Sequence, residues 1–430
     1  MIGILRIAWR NFWRNLGRYR LLMAALAAAV AVQVTILGST LGLTDTLRAK
    51  AARYFGGHVV VLGYGADPRS RIRDLAQVET ALRYAAVPGA TVVRRSIYYD
   101  TDATLFFAGN RHAQRRLIGV EWEQERPLLE TLDLLTGGLP GKGDESAILV
   151  SSAASEALGV RVGDEVVVSG TTEAGQRNTA LLVVAAIFDD PSIFGFTSYL
   201  SMKVVNRLLD VDPERISEIG LFLPAHTNPT RQARRVLAAL AKSLPVYRLF
   251  TTQEERNQAS RDRDRNAPTR YGVITLDANL AEIRNLLDAL VVLAGFLIVL
   301  FLLIVIIGVA NTYRMLVYER TREIGTMRAL GLTRRNAAWL FLSEALLLGL
   351  FGAGIGFGVG LVLLSALSQV DLSAHEALLM FLSKGKLVWA LPAGWTLGII
   401  VTVITASLAG CVRSAARAAA LAPAVALRNE

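Results

Sequence analysis

Residues that could do chemistry are few and scattered in this chain. His58, His112, His226, His375 and the single Cys411 share no short metal-ligand spacing, and one cysteine cannot form an intrachain disulfide. The segment Gly138-Leu-Pro-Gly-Lys-Gly-Asp resembles a phosphate loop superficially. It lacks the Gly-Lys-Ser/Thr ending and the magnesium-binding hydroxyl, so it reads as a proline-glycine turn. Asp189-Asp190 reads as a turn at a strand end rather than a catalytic dyad. No nucleophile elbow and no zincin helix occurs. The pattern is that of a non-catalytic chain with no metal site. What stands out is charge beside apolar runs: Glu344, at the edge of one, and the stretch from Glu319 to Gly331 between two.

The elements that must position these residues are long apolar segments. Hydrophobic residues make up 53% of 430 residues, against about 45–50% in soluble proteins, and mean hydropathy is +0.40. The excess sits in uncharged runs at 21–44, 289–313, 345–370 and 387–412. Each exceeds the roughly 20 residues that span a bilayer as a helix. This excludes an ordinary soluble enzyme, a disordered chain and a disulfide scaffold. The first run is too long for the apolar core of a signal peptide and reads as a retained anchor.

Charge sets the expected topology. Residues 45–288 hold 30 Lys/Arg and 30 Asp/Glu, and 371–386 balance as well, so all of the net positive charge lies in 1–20, 314–335 and 413–430, with Glu344 bringing the total to +10. The positive-inside rule makes those three segments cytoplasmic, with both termini inside and 45–288 outside. The basic balance is therefore topology rather than nucleic-acid binding. The expected organisation is an amphipathic cytoplasmic helix at 1–20, with Arg6, Arg10, Arg14 and Arg18 on one face, and membrane helices at 21–44, 289–313, 336–370 and 387–412. A large α+β domain at 45–288 lies between the first two. A cytoplasmic helix occupies 314–335, a short outside loop 371–386 and a cytoplasmic tail 413–430.

Within the domain, strands are expected at 58–63, 91–99, 104–108, 117–120, 147–150, 165–169, 179–188, 216–223 and 246–250. Helices are expected at 75–84, at 151–158 with Ser151 or Ser152 as cap, at 202–209 and at 230–243. The polar stretch 253–269, with Arg261-Asp-Arg-Asp-Arg, reads as an exposed helix or loop. A helical pattern at 277–288 runs on into the second span. Ala24 to Ala31 make span one rich in small residues, which lets helix backbones approach closely. Its Gln33, Thr35, Ser39 and Thr40 suit hydrogen bonds to other helices. In span three, Gly352, Gly356 and Gly360 form one packing stripe, with Gly354 and Gly358 on another face. Glu344 needs a partner there, which Arg335 or a neighbouring helix would supply.

The helix between spans two and three carries an apolar strip of Ile324, Met327, Ala329 and Leu330 among Glu319, Arg320, Arg322, Glu323 and Arg328, and Gly331 ends it. Such a helix can dock its apolar ridge into a groove of a partner, with the charges fixing register.

Here the chain resembles a known family. Arg322-Glu-Ile-Gly-Thr-Met-Arg-Ala-Leu-Gly331, then Glu344-Ala345 and a glycine-rich third span, is similar to the FtsX-like ABC-transporter permeases. Leu139-Pro140, Ile148-Leu-Val-Ser151, Leu158-Gly-Val160, Val162-Gly-Asp164, Tyr199-Leu-Ser-Met202 and Ile216-Ser-Glu-Ile219 resemble the extracytoplasmic core domain of the MacB-type branch, and the ending 421–428 fits as well. The resemblance implies the membrane subunit of an ABC system in a bacterial inner membrane. Its coupling residues would be Glu319, Arg322, Glu323, Ile324, Gly325, Met327, Arg328, Leu330 and Gly331, with Glu344, Gly352, Gly356 and Gly360 pairing and packing in the membrane. It implies a separate ATPase chain holding ATP and magnesium, no cofactor on this chain, a second permease copy, identical or paralogous, and membrane lipids. A periplasmic adaptor or carrier could join them. The cargo would be lipoprotein, lipid, peptide or small molecule. The alternative is an FtsX-like regulator that transmits ATPase motion to activate a cell-wall hydrolase.

Overall fold

The computed structural model describes the chain except residues 1, 15, 66–70, 99–102, 173, 190–195, 225–226, 262–267, 374 and 421–430. Asp190, His226, most of the alternating-charge run after Arg261 and the 421–428 ending thus lie outside the described residues. So do the side chains of Arg18, Arg322 and Ile324. Two compact units emerge. One comprises Met1–Leu43, Asp288–Val370 and Leu387–Glu430; the other comprises Thr44–Leu287 and Asp371–Lys386.

The first unit is helical. Its elements are α1 (Ile2–Arg14), α2 (Leu16–Phe55) as far as Leu43, α3 (Ala281–Glu319) from Asp288 on, α4 (Thr321–Ala329), α5 (Arg334–Leu367) and α6 (Ala393–Ala420). Four of these, α2, α3, α5 and α6, are long and apolar enough to cross a membrane. The helices overrun the apolar runs because helices end at breakers, not at changes of hydropathy. No Gly or Pro follows Thr44 until Gly56-Gly57, both with positive φ, so α2 continues to Phe55.

The glycine stripe seats α5 on α2. A Cβ on Gly352 would fall 2.8 Å from Leu26 Cβ, one on Gly356 2.7 Å from Val30 Cβ, and one on Gly360 2.8 Å from Val34 Cβ. Gly354 and Gly358 face open space in this chain. Of the polar residues in the first span, Gln33 reaches the Ile298 carbonyl at 3.5 Å, while Thr35 bonds Ala31 of its own helix. Phe351 on α5 receives α1, stacking on Phe12 at 5.3 Å and meeting Trp13 at 5.8 Å.

The second unit is an α+β domain built on a 12-stranded mixed sheet. Its strands are β1 (Val59–Tyr64), β2 (Thr91–Tyr98), β3 (Thr104–Phe107), β4 (Asn110–Ala113), β5 (Arg116–Val120), β6 (Leu134–Gly137), β7 (Ala147–Ser151), β8 (Glu165–Thr171), β9 (Arg177–Phe188), β10 (Thr197–Ser201), β11 (Glu218–Phe222) and β12 (Arg270–Thr275). They run in the order β12-β1-β11-β2-β5-β10-β7-β9-β8-β3-β4, with β6 on β9. The β5/β10 and β7/β9 pairs are parallel and the rest antiparallel. Helices Leu75–Ala85 and Pro229–Leu240 pack Val78, Leu82, Ala233, Val236 and Leu240 against Val59, Val61 and Val273. The helix Ser152–Leu158 is capped by Ser151, whose hydroxyl accepts from the Ala154 N–H.

The strand expected at 246–250 is instead two isolated bridges, Val246 to Tyr271 and Phe250 to Ile274. Four steps on one side match three on the other, and that extra residue stops a continuous ladder. The expected polar stretch begins as a helix, Gln253–Arg261.

Two buried arginines hold the end of α2 inside this domain. Arg95 makes a bidentate pair with Glu125 at 2.8 and 2.7 Å and donates to the Arg53 carbonyl at 2.7 Å. Arg116 donates to the Tyr54 carbonyl and lies 3.6 Å from Glu218. Both satisfy carbonyls that a helix C-terminus leaves open. Burial alone would lower the basicity of Arg95, but the Glu125 carboxylate overrides it and holds the guanidinium above its ordinary range. The loop between α5 and α6 is anchored in the same unit. Asp133 accepts from the Ser383 hydroxyl, and Asp189 accepts from the Lys384 N–H at 3.1 Å and pairs with Lys50 at 3.6 Å.

Candidate functional site

The sequence around α4 is written with start and stop signals. Leu330 is the C-cap and Gly331 follows at φ +100°, a left-handed position that glycine adopts without strain. The Gly331 N–H returns to Arg328 and the Leu332 N–H to Met327, closing the turn as helix ends commonly do. Thr333 then caps α5, its hydroxyl accepting from the Asn336 N–H at 3.2 Å. The break at the other end of α4 is different. Arg320 separates α3 from α4 with no glycine or proline nearby, so local propensity does not set it.

A buried ion pair accounts for that break. Arg320 is 3% exposed and Glu344 is 0% exposed. Arg320 Nη1 donates to both Glu344 oxygens at 3.1 Å, and its Nε donates to Glu323 Oε2 at 3.0 Å. Tyr19 Oη donates to Glu344 Oε2 at 3.0 Å and Asn11 Nδ2 to Oε1 at 3.3 Å. One carboxylate on α5 thus ties together α1, α2 and the α3–α4 junction. A buried charge costs several kcal/mol unless paired and hydrogen-bonded, roughly the condition met here. The partner of Glu344 is Arg320, not Arg335, which is exposed on the first turn of α5. Arg320 lies 24 residues before Glu344 in the chain, on a different helix end, where helical spacing along α5 could not point to it. Tyr19 and Asn11 were equally unreadable, since nothing in residues 1–20 marks them apart from the arginine face.

The α4 residues separate into two classes. Met327 packs against the helical core and Gly325 is buried, whereas Leu330 is 89% exposed. Met327 and Leu330 therefore do not form one free ridge, as the strip implied. The turn at Gly331 carries Leu330 outward while Met327 anchors the helix. Glu319 and Gly331 are exposed, Glu323 is 55% exposed while holding Arg320, and Arg328 is partly buried. Gly352, Gly356, Gly360 and Glu344 are brought onto the inner surface of α5 together. Among the described residues no group of three or more His, Cys, Asp or Glu could hold a metal ion. The arrangement can hold a short helix at the surface and connect it to the bundle.

Comparison with known proteins places these helices. Residues 295–423 match the family model for the FtsX-like permease C-terminal domain. The span includes α4, Glu344 and the glycine stripe, so the FtsX-like resemblance read from 322–331 holds. The lipoprotein-releasing system transmembrane protein LolC of Haemophilus influenzae is 19% identical over 79% of this chain and 78% of its own length. The macrolide export ATP-binding/permease protein MacB of Bordetella avium is 31% identical over 34% of this chain. The pyoverdine export ATP-binding/permease protein PvdT of Pseudomonas putida is 38% identical over 24%. The matches take in only 21% and 16% of the lengths of these two proteins. The crystal structure of the periplasmic region of MacB from Actinobacillus actinomycetemcomitans covers 54% of this chain and 95% of its own at a TM-score of 0.32 and 14% identity.

Proposed function

We propose that this chain, whose residues 295–423 match the FtsX-like permease C-terminal family model, is the membrane subunit of an ABC transporter. It works with a separate ATPase subunit and a second permease copy in a bacterial inner membrane. Both termini and α4 face the cytoplasm and the α+β domain faces outward, as the charge distribution argues. ATP and magnesium belong to the ATPase. Leu330 docks in a groove of that partner, and Glu319, Arg322, Glu323 and Arg328 set the register. Movement of α4 is passed by Arg320 and Glu344 to α5 and to α1 and α2. The output is movement of the outer domain that drives export or release of a lipoprotein, lipid, peptide or small molecule.

The observation that carries this reading is Leu330. A leucine 89% exposed at the tip of a charged helix, inside the region that matches the permease family, suits an apolar groove of a partner. The names of MacB and PvdT, which join ATP binding to a permease, support an ATPase partner.

The test is Leu330→Asp, because Met327→Asp would also damage the bundle. The variant should insert into the membrane normally but lose co-purification with the ATPase and ATP-driven work. Normal co-purification and work would remove α4 as the coupling element.

A further inference from the structure

The domain is neutral as a whole, yet its charge is segregated. Between Glu218 and Glu254 there is no acidic residue, while Arg231, Arg234, Arg235, Lys242 and Arg248 all fall there. Helix Pro229–Leu240 turns its apolar side, with Ala233, Val236 and Leu240, into the core beneath it. Its outer edge therefore carries Arg231, Arg234 and Arg235, spaced at i, i+3 and i+4 and so on one face. Helix Leu75–Ala85 lies beside it, held by Gln232 Nε2 donating to the Ala85 carbonyl at 2.7 Å, and adds Arg83 and Tyr84. All of these are exposed, and Tyr84 is 87% exposed. Among the described residues, Arg83, Arg231, Arg234, Arg235 and Lys242 have no acidic partner.

Two shallow concavities mark this face. One of about 480 Å³ lies over the three arginines. The other, about 420 Å³, lies between the two helices and is lined by Tyr84, Thr80 and Lys242.

We propose that these paired helices are a docking face for an acidic surface of a partner protein. The inference deepens the transporter reading and rests on it, by giving the domain a protein to work with. A single small anion does not fit the observations. The guanidinium groups are spread along an open edge, and among the described residues lining it no buried donor converges on one point. An extended acidic surface matches the spacing and would relieve the mutual repulsion of unneutralised cations. Arginine and exposed tyrosine are also the residue types that anchor protein interfaces. The packed core beneath both helices keeps the face preformed, so little ordering is needed on binding.

The experiment uses the full chain in phosphatidylcholine nanodiscs, with labelled poly-L-glutamate as probe. Binding should saturate and weaken with salt. R231E/R234E/R235E should weaken it at least about tenfold, as like-charge juxtaposition does. Tyr84→Ala, which leaves the charge unchanged, should weaken it about fivefold. R231K/R234K/R235K should retain most of the binding, which separates loss of charge from loss of fold. Arg177→Glu, an exposed cation on β9, should change nothing.

Unchanged binding in R231E/R234E/R235E overturns the proposal, as does equal loss in Arg177→Glu. Displacement of the peptide by inorganic phosphate at matched ionic strength would make the face an ion site. Displacement by phosphatidylglycerol vesicles would make it a lipid site. Concentration-dependent self-association abolished by R231E/R234E/R235E would make it a contact between copies. Each of these results also overturns the proposal. Co-purification with the ATPase should survive all of these variants, so failure here is distinguishable from failure of the coupling role of Leu330.

Discussion

The two buried arginine–glutamate centres look alike and are built for different work. In the α+β domain, Arg95 spends its donors on Glu125 and on the Arg53 carbonyl, all inside the protein. It is a closed joint that fixes a helix end to a sheet. In the helical unit, Arg320 spends one side on the buried Glu344 and the other on Glu323, which is 55% exposed. One end of that pair reaches the surface helix α4. The same residue types thus make a structural rivet in one place and a connection between core and surface in the other. What differs is where the second acceptor lies.

The largest effect should come from the closed joint. Arg95→Met leaves Glu125 buried without its cation and a helix carbonyl unsatisfied, and should cost about 3–5 kcal/mol of domain stability in a urea titration. R95M/E125L should recover much of that loss, because no isolated charge remains. A loss under about 1 kcal/mol for the single variant would erase the distinction.

Next come the two glycine faces of α5. Gly356→Leu places bulk where a Cβ alone would lie 2.4 Å from the Ala27 carbonyl oxygen, and should sharply reduce the yield of folded chain. Gly358→Leu adds bulk to open space and should leave that yield within about twofold, since no close helix contact is broken. Equal yields by detergent gel filtration would deny that the first stripe seats α5 on α2.

The smallest expected effect concerns pH. The Leu223 N–H donates to His58 Nδ1 at 3.0 Å, so that ring is neutral. Burial lowers its pKa, partly offset by Asp277. The unfolded chain therefore takes up the proton more readily, near the ordinary imidazole value of about 6.5. The contribution of His58 to stability is full above that value and declines as pH falls below it. His58→Gln should flatten this part of the stability profile, measured by melting temperature between pH 7.5 and pH 5. An unchanged slope would show that His58 does not titrate in this way.

Much of this was legible in the sequence, for physical reasons. Apolar runs gave the spans, Gly331 gave the end of α4, and the spacing of Gly352, Gly356 and Gly360 gave the packed face. Strands with alternating or β-branched patterns, such as β1, β2 and β9, were also readable. The short strands β4, β6, β10 and β12 were not. Asn110–Ala113 is polar and exposed, Leu134–Gly137 is too short for a period, and Arg270–Thr275 follows a run of charge. The helix Trp122–Leu129 contains Pro127, which argues against helix in any local reading. The ion pairs were invisible because they join residues far apart in sequence, Arg320 to Glu344 and Arg95 to Glu125. A sequence shows that a buried acid needs a cation, and only packing shows which one.

In the proposed transporter, Arg320 and Glu344 hold α4 in place for the ATPase. The direct measurement is a double-mutant cycle, with Arg320→Gln, Glu344→Gln and the two combined, read as ATPase affinity for the chain in nanodiscs. Each single variant should weaken binding at least about tenfold, and the combination should be little worse than either, since both break one unit. Unchanged affinity in the single variants, or losses that simply add, would contradict the account.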